Sequence, residues 1–161
     1  MAQTLNLDLS ADGGDVVEHV GLARQTAADL GILAAVTEAP DPAFTGLTLT
    51  SGLWVSVARP VVSDVDPFVE DFGFERGAVV ELTFNSASDA DAQVAQGLQL
   101  TFGLLGRLPS DAVLHHEYFE VWLTRLRGEL TLSDRDDIWY PDRLALVPGP
   151  YSRAPLAFTS M

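Results

Sequence analysis

Between Leu130 and Leu144 the chain reads LTLSDRDDIWYPDRL, four aspartates and two arginines around a Trp-Tyr pair. Carboxylates at that density suit a hard cation, acid–base chemistry, or a charged contact with another protein. Asp134, Asp136 and Asp137 begin like a calcium loop, but such a loop needs an oxygen ligand at its fifth position, glycine at its sixth and glutamate at its twelfth. Those positions hold Ile138, Trp139 and Ala145. A second constellation is His115-His116-Glu117. Neighbours along a strand point to opposite faces, so His115 and Glu117 could share a side and His116 cannot join them. With no cysteine and with His19 a helix away, a zinc site would need ligands from several elements. No nucleophile elbow, S-x-x-K pair or glycine-rich phosphate cradle is present. The expectation is no metal, no cofactor and no catalytic residue. The alternative is a small-ligand-binding protein or hydrolase using His115 and Glu117 with an acid from another strand.

Elimination leaves binding. Asp64, Asp66, Glu70, Asp71 and Glu75 alternate with Val65, Phe68, Phe72 and Phe74, and Asp134, Asp136 and Asp137 stand beside Trp139 and Tyr140. Aromatics and arginines dominate interface hot spots, so these ten acidic and aromatic positions (64, 66, 70, 71, 75, 134, 136, 137, 139 and 140) form a candidate contact surface. The competing reading folds Trp139 into the core and pairs Arg135 and Arg143 with local aspartates. A docking body of this kind should not gather several ionisable side chains in one enclosed place.

At 161 residues, 47% hydrophobic and 20% charged, the chain suits one domain, residues 1–161, with a substantial core. Net charge is −14. Duplex binding requires a positive surface that displaces counterions, so nucleic acid and anionic membrane are poor partners, and a basic protein would be drawn to the chain. The bland reading is that acidity keeps it soluble. All nine basic residues are arginines, which fits coding bias in a GC-rich genome. The first residues, MAQTLNLDLSADGG, lack a basic n-region and an apolar h-region, and no apolar run is long enough to span a bilayer. A cytoplasmic location is expected.

The positioning elements follow from periodicity. Leu5, Leu7 and Leu9 alternate with Asn6 and Asp8, a half-buried strand. Val16, Val20, Ala23, Ala27 and Leu30 form a helical stripe, capped by Asp12 or Asp15 and ended by Gly31. Residues 37–46 read as a loop, and 47–60 as a hairpin turning at Ser51-Gly52, with Trp54 on the face opposite Leu53 and Val55. The acidic stretch is a loop with a short helical turn leading into a strand at 78–86. A second helix, capped by Ser86 or Ser88, carries Val94, Leu98, Phe102 and Leu105. Residues 111–134 read as two strands around a turn at Arg127-Gly128, the first long enough to carry a bulge near Tyr118-Phe119, with Trp122 a packing residue. Residues 148–161 form a proline-rich extended tail. The order predicts an α+β fold: a two-layer sandwich, mainly antiparallel sheet with two main helices packed on one face.

From Phe72 to Val147 the chain runs FGFERGAVVELTFNS, an acid-capped helix, then LPSDAVLHHEYFEVWLTRLRGELTLSDRDDIWYPDRLALV. This block resembles the Sit-type immunity family, named for swarming-inhibition toxin–immunity pairs of myxobacteria and widespread in actinobacteria, and the chain looks like an actinobacterial-like member. The fixed-spacing positions are Ser133, Arg135, Asp136, Asp137, Trp139, Pro141, Arg143 and Leu144. The resemblance covers about half the chain; the first 60 or so residues match only in rough element order. It implies a non-catalytic cytoplasmic protein that binds and neutralises a cognate protein toxin, in this case a basic one, in bacterial competition.

Overall fold

The computed structural model describes residues 3–41, 44–61 and 63–160. Pro42 of the predicted 37–46 loop, and Val62 at the head of the acidic stretch, lie outside the described residues. Among the described residues nine strands form one sheet: β1 (Thr4–Ser10), β2 (Leu33–Thr37), β3 (Gly46–Leu49), β4 (Trp54–Ala58), β5 (Arg76–Thr83), β6 (Ala112–His116), β7 (Glu120–Leu126), β8 (Glu129–Ser133) and β9 (Ser152–Ala154). Their order is β2-β3-β4-β5-β1-β6-β7-β8-β9, with every neighbouring pair antiparallel except β8–β9. The helices are α1 (Val16–Asp29), α2 (Pro67–Phe72), α3 (Ala90–Leu105) and α4 (Pro141–Leu144). The fold is α+β, with a mixed sheet.

The leucines of β1 face α1 and α3. Leu5, Leu7 and Leu9 are buried with Val20, Ala27, Leu98 and Phe102 in the main core. Asp15 caps α1, its carboxylate accepting from Glu18 N at 2.8 Å, and Gly31 follows the helix with φ 72°. Leu30, placed on the stripe by periodicity, is exposed, because α1 already ends at Asp29. Asp89, not Ser86 or Ser88, caps α3: its carboxylate accepts from Asp91 N and Ala92 N. The serines instead lie in the preceding loop, which the buried side chain of Gln93 fastens to the helix. Gln93 accepts from Asn85 N at 2.7 Å and donates to the carbonyls of Asn85, Ser88 and Asp89.

Four expectations are corrected. First, β1 is central, not half-buried: Asp8, on the face opposite the leucines, is only 1% exposed. Second, that face is covered by α2 and the C-terminal segment. Phe68 and Phe74 pack there on Val113 and Val121, with Leu156 and Phe158 against them. The helices are therefore not all on one side: α1 and α3 pack on the leucine face of β1 and α2 on the other. Third, residues 111–134 form three strands. The chain reverses at Glu117–Phe119, where Glu117 and Tyr118 take φ of 48° and 65°, and the register shift lies at Leu114/His115. Fourth, β2 and β9 were not anticipated. Both are short edge strands that pair on one side only, so they bury little apolar surface and leave a weak periodic signal. Trp54 is half-buried on the far face over Gly46, where a Cβ would lie 1.9 Å from its Cζ2.

Candidate functional site

The acidic stretch 64–75 folds as a cap, a short helix and a strand entry. Asp66 accepts from Phe68 N at 2.9 Å, Pro67 opens the helix and Gly73 closes it with φ 79°. Phe68 turns inward and is fully buried. Its ring lies within 5.3–6.4 Å of the rings of Phe72, Phe74, His115, Tyr118 and Phe158. Val65, Val69, Asp64, Glu70 and Glu75 are exposed. Asp71 holds the C-terminal segment instead, accepting from Thr159 N (2.9 Å) and Oγ1 (2.7 Å) and from Ser160 N (3.1 Å) and Oγ (3.0 Å). Burial pushes the Asp71 carboxyl up, but these four hydrogen bonds outweigh it, and its pKa lies below the ordinary carboxylate value.

Beneath Phe68 lies a polar cluster that one-dimensional pattern did not reveal. His115 Nε2 is 2.6 Å from Asp8 Oδ2, and both side chains are buried. Tyr118 N donates to His115 Nδ1 at 3.2 Å, which places the ring N–H on Nε2, pointing at Asp8. Arg76 reaches Asp8 Oδ1 at 3.4 Å, donates to the Val61 carbonyl at 2.9 Å, lies 3.7 Å from Asp66 Oδ2, and sets its guanidinium 4.5 Å from the Phe68 ring centroid. Ionisable side chains therefore do gather in an enclosed place, contrary to expectation. A hollow of about 180 Å3 opens beside Asp8 and Arg76, bordered by Arg59, Glu81, Val61 and Tyr118. The postulated His115–Glu117 pair does not form. Glu117 sits exposed in the β6–β7 turn, because the strand ends at His116, and both His115 ring nitrogens are already engaged.

The second stretch, after β8, is a braced turn. Arg135 makes a forked pair with Asp137 (3.1 and 2.6 Å) and donates to Glu120 Oε2 at 2.6 Å. The bond from Arg135 holds the Asp137 carboxyl below its usual value, and the same pair raises the guanidinium. Arg153 lies 3.5 Å from Asp136 and donates to the Ser133 carbonyl at 2.9 Å. Asp134 is exposed. Trp139 is 1% exposed, its Nε1 donating to the Trp122 carbonyl at 2.7 Å and its ring meeting those of Trp122 and Phe102. As a contact-surface residue Trp139 is thus corrected: it packs in the core, since its indole fills space between β7 and α3 that a polar side chain could not. Among the described residues Arg143 pairs with no aspartate. It donates to the Ile138 carbonyl at 3.0 Å and stacks on Trp122 and on the half-buried Tyr140.

Exposed apolar side chains lie near the first stretch. Val61 is 84% and Phe119 82% exposed, with Val65, Val69 and Tyr118 also exposed. Val61 and Tyr118 border the same small hollow, and Tyr118 packs on Phe68, the inner face of α2. Sequence reasoning singled out Val65 but missed Val61 and Phe119, because exposure of an apolar residue in a turn has no periodic signature. Among the described residues no group of three or more histidines and carboxylates could hold a metal ion, and no helix is long and apolar enough to cross a membrane.

No curated protein and no solved structure matches the chain. A family model described as SitI3-like matches residues 11–143. The match agrees with the immunity-type resemblance read from the second half and extends it through α1 and the β2–β4 strands. The chain belongs to the SitI3-like family.

Proposed function

We propose that this protein is a non-catalytic, cytoplasmic immunity protein that binds and neutralises a basic protein toxin used in bacterial competition. The observation that carries the reading is the juxtaposition of exposed apolar side chains (Val65, Val69, Tyr118, Phe119) with exposed acids (Asp64, Glu70, Glu117) around α2 and the β6–β7 turn. An apolar centre with a charged rim suits a specific interface, and a net charge of −14 favours capture of a basic partner. The stretch at 134–140 is the weaker candidate surface. Asp137 is held by Arg135 in a forked pair, and Trp139 is internal. Within 64–75 the contact acids are Asp64, Glu70 and Glu75, while Asp66 and Asp71 hold the fold.

The test is co-expression with a candidate toxin taken from a neighbouring gene, scoring survival. The triple reversal Asp64→Lys, Glu70→Lys and Glu75→Lys is expected to abolish protection while leaving the thermal transition intact. Retention of full protection by that variant would remove the acidic-interface reading.

A further inference from the structure

The Trp122 ring packs edge to face on Trp139. Its position also borders a groove of about 690 Å3, bounded by the 84–88 loop, the first turns of α3, the start of β7 and α4. That volume lies in the range of small-molecule sites. Leu5, Phe84 and Val94 supply apolar wall. Gln93 fastens the 85–89 loop to α3, so one side of the groove is preformed.

Three lining residues have hydrogen-bonding capacity left over. Trp122 is 8% exposed, and its Nε1 is buried with no partner among the described residues. An indole N–H can only donate, and when buried it usually does. His116 Nε2 is likewise buried and without a partner, while its Nδ1 faces Glu120 Oε1 at 3.6 Å. Arg143 uses Nη1 on the Ile138 carbonyl and is held in orientation by the Trp122 and Tyr140 rings, leaving its other N–H groups. The Trp122 indole and the Arg143 guanidinium are donors, and His116 adds a third when its ring carries a proton on Nε2 as well as on the Nδ1 that faces Glu120; such a set calls for an acceptor.

We propose that this groove binds a small monocarboxylate with a compact apolar body. The carboxylate is shared by Trp122 Nε1, His116 Nε2 and the Arg143 guanidinium, and the body rests on Leu5, Phe84 and Val94. Asp91 and Glu120, also in the lining, repel a second negative charge and tolerate an ammonium next to the carboxylate. The site is separate from the surface around α2 and does not depend on the identity of the toxin.

The full chain contains three tryptophans, so three indole N–H resonances report on it. The probes are sodium benzoate, benzylamine as a cation of similar shape, and sodium chloride as a salt control. Benzoate is expected to shift the Trp122 indole resonance saturably, and the other two are not. Arg143→Gln and His116→Gln, both at partly exposed positions, should each weaken the benzoate response about tenfold, with the Trp54 and Trp139 resonances in place as evidence of an intact fold. The absence of a saturable shift, an equal response to benzylamine, or undiminished binding in both variants would each overturn the proposal. A Trp122 resonance that moves only when the toxin is added would also overturn it, and would assign the groove to the protein interface.

Discussion

Asp8 and His115 lie on adjacent strands, two residues out of direct register, and meet at 2.6 Å beneath the Phe68 ring. β1 places Asn6, not Asp8, opposite His115, so the contact runs diagonally across the sheet. It joins the strand at the centre of the sheet to the helix and turn that carry the proposed contact surface. Asp8 accepts the His115 Nε2–H and faces the Arg76 guanidinium, so its removal leaves a buried N–H without an acceptor and a buried cation without its counter-charge. Asp8→Ala is therefore expected to destabilise the fold by about 3 kcal/mol or more, read by urea denaturation. A shift below about 0.5 kcal/mol would show that Asp8 contributes little to the fold.

Asp71 gives a pH prediction with a defined sign. Its pKa is lower in the folded chain than the ordinary value, so its contribution is fully present above the ordinary carboxylate range and is lost as pH falls through the folded value. On acidification the Thr159 and Ser160 amides should lose hydrogen-exchange protection only below the usual carboxylate range. Asp71→Asn should weaken that protection already at neutral pH, since an amide cannot present two accepting oxygens. Loss of protection near neutrality in the unmodified chain would contradict the assignment.

Trp139 separates fold from binding. Trp139→Ala should cost roughly 3–5 kcal/mol. Trp139→Phe keeps most of the ring volume, loses the bond to the Trp122 carbonyl, and should cost about 1 kcal/mol or somewhat more. At a temperature where the phenylalanine variant is folded, its protection against toxin should equal that of the parent. Reduced protection by a fully folded Trp139→Phe would return this residue to the interface.

Phe119 and Val69 should behave in the opposite way. Both are exposed, so Phe119→Ser and Val69→Ser should change stability by no more than about 0.5 kcal/mol. Each should weaken toxin binding, Phe119→Ser by about 2 kcal/mol or more if it is a hot spot of the interface. Calorimetric titration with purified toxin distinguishes this from a merely acidic attraction, which added salt would screen.

Arg125 closes the α3–β6 connection. It donates to the carbonyls of Leu105, Leu108 and Ser110, and burial draws its pKa below the usual guanidinium value. Arg125→Met should destabilise the chain by roughly 2–3 kcal/mol, because three carbonyls lose a charged donor at once. Thermal unfolding would measure it.

The amino-acid sequence by itself determined the local elements whose signals are local. The Leu5-Leu7-Leu9 alternation, the Asp15 cap with its stripe, the Ser51-Gly52 hairpin and the acidic short helix all rest on residues within a few positions of one another. The Sit-type block was legible for the same reason: it is an ordered run with fixed spacing, and most of it lies within the span matched by the SitI3-like model. Only the tertiary structure decided which acids are available. Asp71 looks like Asp64 in sequence, yet its carboxylate is taken up by Thr159, 88 residues away. Only strand order put Asp8 beside His115, 107 residues apart, and turned an apparently solvent-facing aspartate into a buried one. A hydrogen bond or ion pair depends on distance in space, and the pairing of β1 with β6 sets that distance across a gap that no periodicity spans.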